Sequence, residues 1–429
     1  MLFKLPVLDH SAAARYVTFG YLYFMQGVPS GFALTALTNY LTGQGLPSTT
    51  IGSFVTLVGL PWVVQLVWGP LIDRYRWSVV GHYKHWVVLT QWAALAASLL
   101  LLLVRHPAQE PYLLATLFFV HALFASVQDA SVDAMAITIT PAHERGRVNA
   151  FMRGGLLLGI SFGAAVLSIV LHRYGYRAAV GLQAGILFFF NLIFFLTRLH
   201  KNDPIWPQRP AEGAPQNNRA PNTSMRTLFR RLAAAMVQPR SLQTFLIIAA
   251  CYFLFALFIR SVNFHLIREL GWADQELSVL TGGWGSAVTL LVVIGGGYFA
   301  DRIGHTRLQR HTLWVLGAFL ILFNAALLMG PPAKPMLQGG LLFWGVADPL
   351  YSIAVFPLLM GLCAAHLAGS QFTAYMALIN LTDVGGAYLN GWLLQVVPAP
   401  YLGLSAGIIL LMLALFLFAR SRTTVNPPA

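Results

Sequence analysis

Long apolar runs, separated by short polar breaks, fill almost the whole chain. A helix needs about 20 apolar residues to cross a ~30 Å hydrocarbon core. Runs of that length fall at 16–41, 51–71, 86–104, 112–137, 148–171 and 178–198, and again at 243–263, 277–300, 312–329, 341–364, 371–395 and 401–419. The pattern predicts an all-α integral membrane protein of twelve transmembrane helices in two pseudo-symmetric six-helix bundles. Spans ten and eleven are separated only by His366 and Gly369. The expected division is an N-terminal bundle over 1–199, a linker over 200–241 and a C-terminal bundle over 242–429.

Composition agrees with the bilayer as solvent. Mean hydropathy is +0.67 and only 10% of residues are charged, against roughly 25% in soluble domains. The first fifteen residues hold Lys4, Asp9, His10 and Arg15 and no apolar stretch of the signal-peptide kind, so no cleaved leader is expected. Cys251 and Cys363 lie inside apolar runs and read as core thiols.

The net charge of +13 would suit nucleic acid, but its distribution points to topology. With the N-terminus inside, the inner segments hold 20 of the 27 Lys and Arg residues and the outer loops five: Arg105, Arg173, Arg177, Arg268 and Lys334. This asymmetry predicts both termini on the cytoplasmic side of the membrane, and no nucleic-acid partner. In the linker, Pro204, Pro207, Pro210, Pro215 and Pro221 argue against a packed core. The following 225–236 segment, with Arg226, Arg230 and Arg231, reads as an amphipathic helix on the inner leaflet, within a plain tether between halves.

One phrase occurs twice, 228 residues apart: Gly69-Pro-Leu-Ile-Asp73-Arg74 and Gly297-Tyr-Phe-Ala-Asp301-Arg302-x-Gly304-His305-x-Arg307. Glycine and carboxylate at i,i+4 share a helix face, where glycine permits close approach and the charges form a latch between helices. The repeat resembles the loop signature of the major facilitator superfamily, between helices 2 and 3 and again between 8 and 9. Glu144-Arg145-Gly146-Arg147-Val-Asn149, followed by Gly154, Gly155, Gly159 and Gly163, is similar to that superfamily's helix 4–5 loop and glycine-lined fifth helix.

Gln26-Gly27-Val-Pro29-Ser-Gly31, Thr50-Ile-Gly52, Gln128-Asp129-x-x-x-Asp133 and Gln371-Phe372-Thr373-Ala374 resemble the AmpG-like branch. That branch includes muropeptide permeases, siderophore permeases of the RhtX/FptX type and acetyl-CoA transporter relatives. The chain departs from the pattern in two ways. Gly81-His82-Tyr-Lys84-His85 stands where a Gly-Arg-Arg-Arg run is expected, and twelve spans are read where muropeptide permeases often have two more.

Four carboxylates fall inside spans: Asp129, Asp133, Asp348 and Asp383. Each costs on the order of 2.5–3.5 kcal/mol at mid-bilayer unless it is partnered or faces water. Asp129 and Asp133 are one turn apart, with His121 two turns up the same face. Two desolvated like charges favour holding a proton, which suits a coupling residue. The structural alternatives are that Asp133 pairs with Arg145, Arg147 or Arg153, and that His121 is a hydrogen-bonded interior histidine.

Arg260 is suited to gripping a substrate carboxylate or phosphate, or to neutralising Asp348 or Asp383. Asp383 shares a face with Asn380 and Asn390. Asp348-Pro349 marks either a gating kink or a solvent-facing mouth. Gln26, Gln128, Gln371 and Asn380 are further candidates for touching substrate. Trp62, Trp68, Trp284, Trp344 and Trp392 divide between interface packing and ring stacking.

The expected function is secondary active transport by alternating access, with helices 1, 4, 7 and 10 lining a midplane site, as the resemblance implies. No Gly-x-x-x-x-Gly-Lys phosphate loop is present, so a proton gradient is the expected driving force, with no cofactor. The partners expected are a small-molecule substrate and the bilayer, with the chain a monomer. By resemblance the substrate order is muropeptide-like amino sugar conjugates, then ferric siderophores, then acyl-CoA or an unrelated metabolite. A membrane enzyme would need a nucleophile–base set or metal-ligand cluster, and no such spacing occurs. A transport-dead sensor would have no need to keep two latches.

Overall fold

The computed structural model describes residues 7–74, 82–201, 203, 225–330, 332–363 and 368–425. All twelve apolar runs fall on helices. In chain order these are α1 (Ala12–Gly31), α2 (Thr38–Gly43), α3 (Ser48–Val63), α4 (Trp68–Arg74), α5 (His82–Leu100), α6 (Pro111–Ile139), α7 (Arg145–Ser161), α8 (Leu167–Tyr174) and α9 (Tyr176–Leu196). Then come α10 (Met225–Met236), α11 (Pro239–Arg268), α12 (Asp274–Ser278), α13 (Gly285–Ile303), α14 (His305–Met329), α15 (Lys334–Gly361), α16 (Ala368–Leu393) and α17 (Ala399–Val425).

Spans one, five and eight each contain a π-helical turn, at Phe32–Leu37, Phe162–Val166 and Val279–Trp284. Such a turn inserts one residue and rotates the face that follows. Among the described residues, ten helical stretches are long and apolar enough to cross a membrane. The stretches over spans one and eleven are not among them. They carry the interior polar residues Gln26 and Asn39, and Gln371, Asn380, Asp383 and Asn390. His366, the expected break between spans ten and eleven, lies outside the described residues, as does the linker over 204–224.

Chain contacts define two compact units: Met1–Leu37 with Leu57–Arg231, and Thr38–Thr56 with Leu232–Ala429. In the first unit, α1 and α7 cross backbone to backbone. A β-carbon added at Gly159 would overlap the Phe24 carbonyl and the Gly27 Cα, and one at Gly31 would overlap the Ile160 carbonyl. Tyr16 stacks on Phe151 at 5.1 Å and Tyr21 on Phe190 at 5.2 Å, flanking this seam.

The end of the unit that carries the N-terminus is buckled. Val7 bridges Arg198, and the Leu8 and Asp9 N–H groups donate to the Arg198 and Leu199 carbonyls at 3.0 Å. Lys84, 1% exposed, donates its ammonium to the Thr197 carbonyl. At the other end, ahead of α6, the backbone N–H groups of Arg105 and His106 donate to Glu110. They hold its carboxyl below the usual carboxylate range.

The second unit is built around an aromatic cluster. Phe258 meets Trp344 edge-on at 4.7 Å, and Phe255 meets both Trp344 and Tyr351 at 5.3 Å. The Thr38–Thr56 segment packs into this unit through small and hydroxylated residues. Asn39 Nδ2 donates to Ser278 Oγ at 2.9 Å, Ser48 Oγ to the Gly391 carbonyl at 2.7 Å, and Thr56 Oγ1 to the Val384 carbonyl at 3.3 Å. Gly304 connects α13 to α14 at φ +85°, a left-handed turn that favours glycine and accounts for it within the second copy of the repeat.

The α1–α7 seam has no room for a side chain, whereas a β-carbon at Gly185 meets nothing within 4 Å. Gly159→Val is expected to destabilise the folded protein by at least about 1–3 kcal/mol, the range for overpacking. Gly185→Ala is expected to leave it unchanged. Thermal unfolding of the two purified variants in one detergent checks the contrast.

Candidate functional site

Helix α6 carries the densest intramembrane polar stripe, and the first unit supplies its partners from two other elements. Gln65, on the 3-10 turn Val64–Val67 between α3 and α4, donates its amide to Asp129 Oδ2 at 2.5 Å. The Tyr23 hydroxyl, on α1, donates to Asp133 Oδ1. One turn beyond Tyr23, Gln26 is 5% exposed and its side chain lies beside Asp129, within hydrogen-bonding reach; the Gln128 Nε2 is buried and unpartnered. Beside them the Trp68 indole donates to Ser126 Oγ at 3.0 Å. Two carboxylates one turn apart are thus held by neutral donors, with a spare amide donor on α6.

Among the described residues no arginine lies within ion-pair distance of Asp133. Arg145 donates instead to the Ile137 carbonyl at 3.2 Å, and Arg147 and Arg153 are exposed. The Arg153 charge still reaches Asp133 electrostatically, without forming an ion pair among the described residues. Tyr23 and Gln65 were not singled out from the sequence. The signal for both was their type, since a phenol and an amide inside apolar runs need partners.

His121 belongs elsewhere. Its Nδ1 lies 3.0 Å from both the Ala94 carbonyl and Ser98 Oγ, and Gln183 donates to that serine at 3.2 Å. Eight residues of helix, about 12 Å, separate it from Asp129 along α6. It joins α5, α6 and α9 as a hydrogen-bonded interior histidine.

In the second unit, Arg260 on α11 forks onto Asp383 on α16, with Nη1 donating at 3.0 Å and Nη2 at 2.8 Å. The arginine is one-fifth exposed and the aspartate half exposed, so the pair is open to water and to competing anions. Asp348 lies within electrostatic reach of Asp383, and its buried Oδ1 has no hydrogen-bond partner. Helix α15 runs unbroken through Pro349. Asn390 Oδ1 is buried without a partner and Asn380 is half-buried on the same helix. Gln371 is absorbed by its own unit, donating to the Leu362 carbonyl and the Tyr375 hydroxyl at 3.3 and 3.1 Å. Trp344 is core, whereas Trp284 and Trp392 are exposed.

The repeated motif gives less. Asp73, Arg74 and Asp301 sit in α4 and α13, with side chains outside the described residues; Gly81 and His82's side chain lie outside them too. Gly297 sits in α13, and Arg302 and Arg307 are exposed. A β-carbon at Gly69 meets no described atom within 4 Å.

The helix 4–5 loop is better defined. Glu144 Oε2 accepts from Arg15 Nε at 3.0 Å and Nη2 at 2.6 Å, and Arg15 Nη1 donates to the Leu8 and Asp9 carbonyls at 2.7 and 3.0 Å. Both side chains are close to fully buried. The burial of Arg15 and Lys84 was not visible in the sequence. Among the described residues, no group of three His, Cys, Asp or Glu side chains is placed to hold a metal ion.

The profile of the Major Facilitator Superfamily matches residues 19–385. The chain belongs to that superfamily. An anhydromuropeptide permease of Escherichia coli K12 is 26% identical over 380 residues, covering 87% of this chain and 72% of the permease. A putative transporter AmpG 3 of Rickettsia prowazekii is 22% identical over 279 residues, 62% of each chain. The resemblance to the AmpG-like branch stands on these relatives. Among solved structures, the nucleoside transporter NupG superposes with a TM-score of 0.68 at 12% identity, covering 94% of this chain and 98% of that one. That likeness is one of fold. The chain is a multi-pass membrane transporter.

The Arg15–Glu144 pair is buried, so removing either partner strands a charge. Arg15→Gln or Glu144→Gln is expected to cost about 3–5 kcal/mol. Arg15→Met combined with Glu144→Leu is expected to recover most of it. A double-mutant cycle on unfolding in detergent measures both.

Proposed function

We propose that this transporter is a proton-coupled importer at a bacterial inner membrane, with both termini cytoplasmic, working by alternating access on a muropeptide-like amino sugar conjugate. The observation that carries the coupling is the Asp129–Asp133 pair, held by the neutral donors Tyr23 and Gln65. One proton on the pair relieves the repulsion of two neighbouring carboxylates in a desolvated helix. Releasing it on the other side of the membrane restores the repulsion, so proton occupancy and conformation are linked.

Support for the substrate comes from the permease of E. coli and from the polar groups at hand. The Gln26 and Gln128 amides suit sugar hydroxyls and acetamido carbonyls. The Arg260 fork suits a peptide carboxylate, which would compete with Asp383 for it. The imposed proton gradient supplies the energy, and the chain needs no cofactor for it.

Membrane vesicles containing the protein are expected to accumulate radiolabelled anhydro-muropeptide when the outside is acidified, and to lose that accumulation with an uncoupler. Asp129→Asn is expected to lower accumulation at least about tenfold while leaving substrate exchange without a gradient. Arg260→Lys, which keeps the charge but not the fork, is expected to raise KM about tenfold, the scale of one lost charge-assisted bond. No uptake by inserted, folded protein removes the muropeptide and turns the assay to ferric siderophores. Uptake indifferent to pH removes the proton.

A further inference from the structure

Helix α10 ends shortly before α11, the apolar helix that begins at Pro239. Arg226, Arg230 and Arg231 on α10 and Arg240 at the mouth of α11 are all exposed. On α10 itself Leu232 is buried, and Met236 packs against the apolar core of the second unit. The helix therefore has an anchored side and an arginine-bearing side. No carboxylate occurs in the sequence between Glu212 and Glu269. Among the described residues none of the four guanidiniums makes an ion pair.

Because α11 crosses the bilayer, its first turn lies at the membrane surface, and the chain places the end of α10 within a few residues of that level. Among the described residues these guanidiniums have no carboxylate partner, and at that level the anions within reach are the phosphates of the leaflet. We propose that the arginine side of α10, with Arg240, is a docking surface for anionic phospholipid headgroups, which fasten the end of the linker to the membrane. A topological signal acts only while the chain inserts. A docking surface holds its lipid at equilibrium, and the two differ in what the purified protein retains. Each arginine near such a surface is worth roughly fivefold in affinity. A planar fork matches a phosphodiester in two bonds.

The test uses the full chain, purified in neutral detergent micelles doped with phosphatidylglycerol or phosphatidylcholine, with bound lipid counted by mass spectrometry of the intact complex. Phosphatidylglycerol is expected to be retained at least about tenfold over phosphatidylcholine, with the preference shrinking as salt is raised. Substituting all four arginines (Arg226→Gln, Arg230→Gln, Arg231→Gln, Arg240→Gln) is expected to lower its retention at least about tenfold. The four Arg→Lys changes are expected to keep most of it. Arg105→Gln, Arg173→Gln and Arg177→Gln together, at the opposite ends of their helices, are expected to change nothing.

Should the fourfold Gln chain not fold, Arg226→Gln with Arg230→Gln, one turn apart, is read the same way and is expected to lose at least about threefold. Equal retention of the two lipids, or a Gln variant that holds phosphatidylglycerol as the unaltered protein does, overturns the proposal. So does full competition by soluble glycerophosphoglycerol, which would mark a site for free phosphodiester.

Discussion

A polar atom inside a bilayer has no water to turn to, and this constraint organises both units. Backbone groups satisfy it by forming helices, so the chain is helical wherever it is apolar. Side chains satisfy it by reaching across to another helix. Lys84 reaches the end of α9, His121 reaches α5, and Arg260 reaches α16. The partnerships bind helices that the hydrophobic effect alone would not hold together, since lipid tails are as apolar as leucine. The atoms left without partners then stand out. In the first unit they include the Gln128 amide, and in the second one oxygen of the Asp348 carboxyl, within electrostatic reach of Asp383.

Close packing supplies the second means of cohesion. Along α1 and α7, glycines at Gly27, Gly31, Gly155, Gly159 and Gly163 bring two backbones into contact. Dispersion between them accumulates without the entropy cost of ordering side chains. The second unit has a glycine seam of its own, where Gly317 on α14 meets Gly407 on α17, and adds the interlocking rings of Phe255, Phe258, Trp344 and Tyr351.

Much of the fold was legible in the sequence because a transmembrane helix announces itself locally, by twenty apolar residues in a row. The acidic pair on α6 was legible for the same reason: a carboxylate in such a run is conspicuous. Its partners were not. Tyr23 and Gln65 come from other spans, and nothing in the pattern around them specifies which helix they face. The burial of Arg15 was not legible either, because it depends on the Val7–Asp9 segment folding over it. The packing of Thr38–Thr56 into the second unit was equally invisible, since its hydroxyl and amide bonds go to Ser278, Val384 and Gly391, far along the chain.

The buckle at the N-terminus has a consequence for biosynthesis. Leu8 and Asp9 precede all six helices of the first half, yet the carbonyls that receive them, on Arg198 and Leu199, follow the last of those helices. Arg15 likewise waits for Glu144. The 7–15 segment therefore gains its partners in two steps, Glu144 after the fourth span and the Arg198 and Leu199 carbonyls after the sixth.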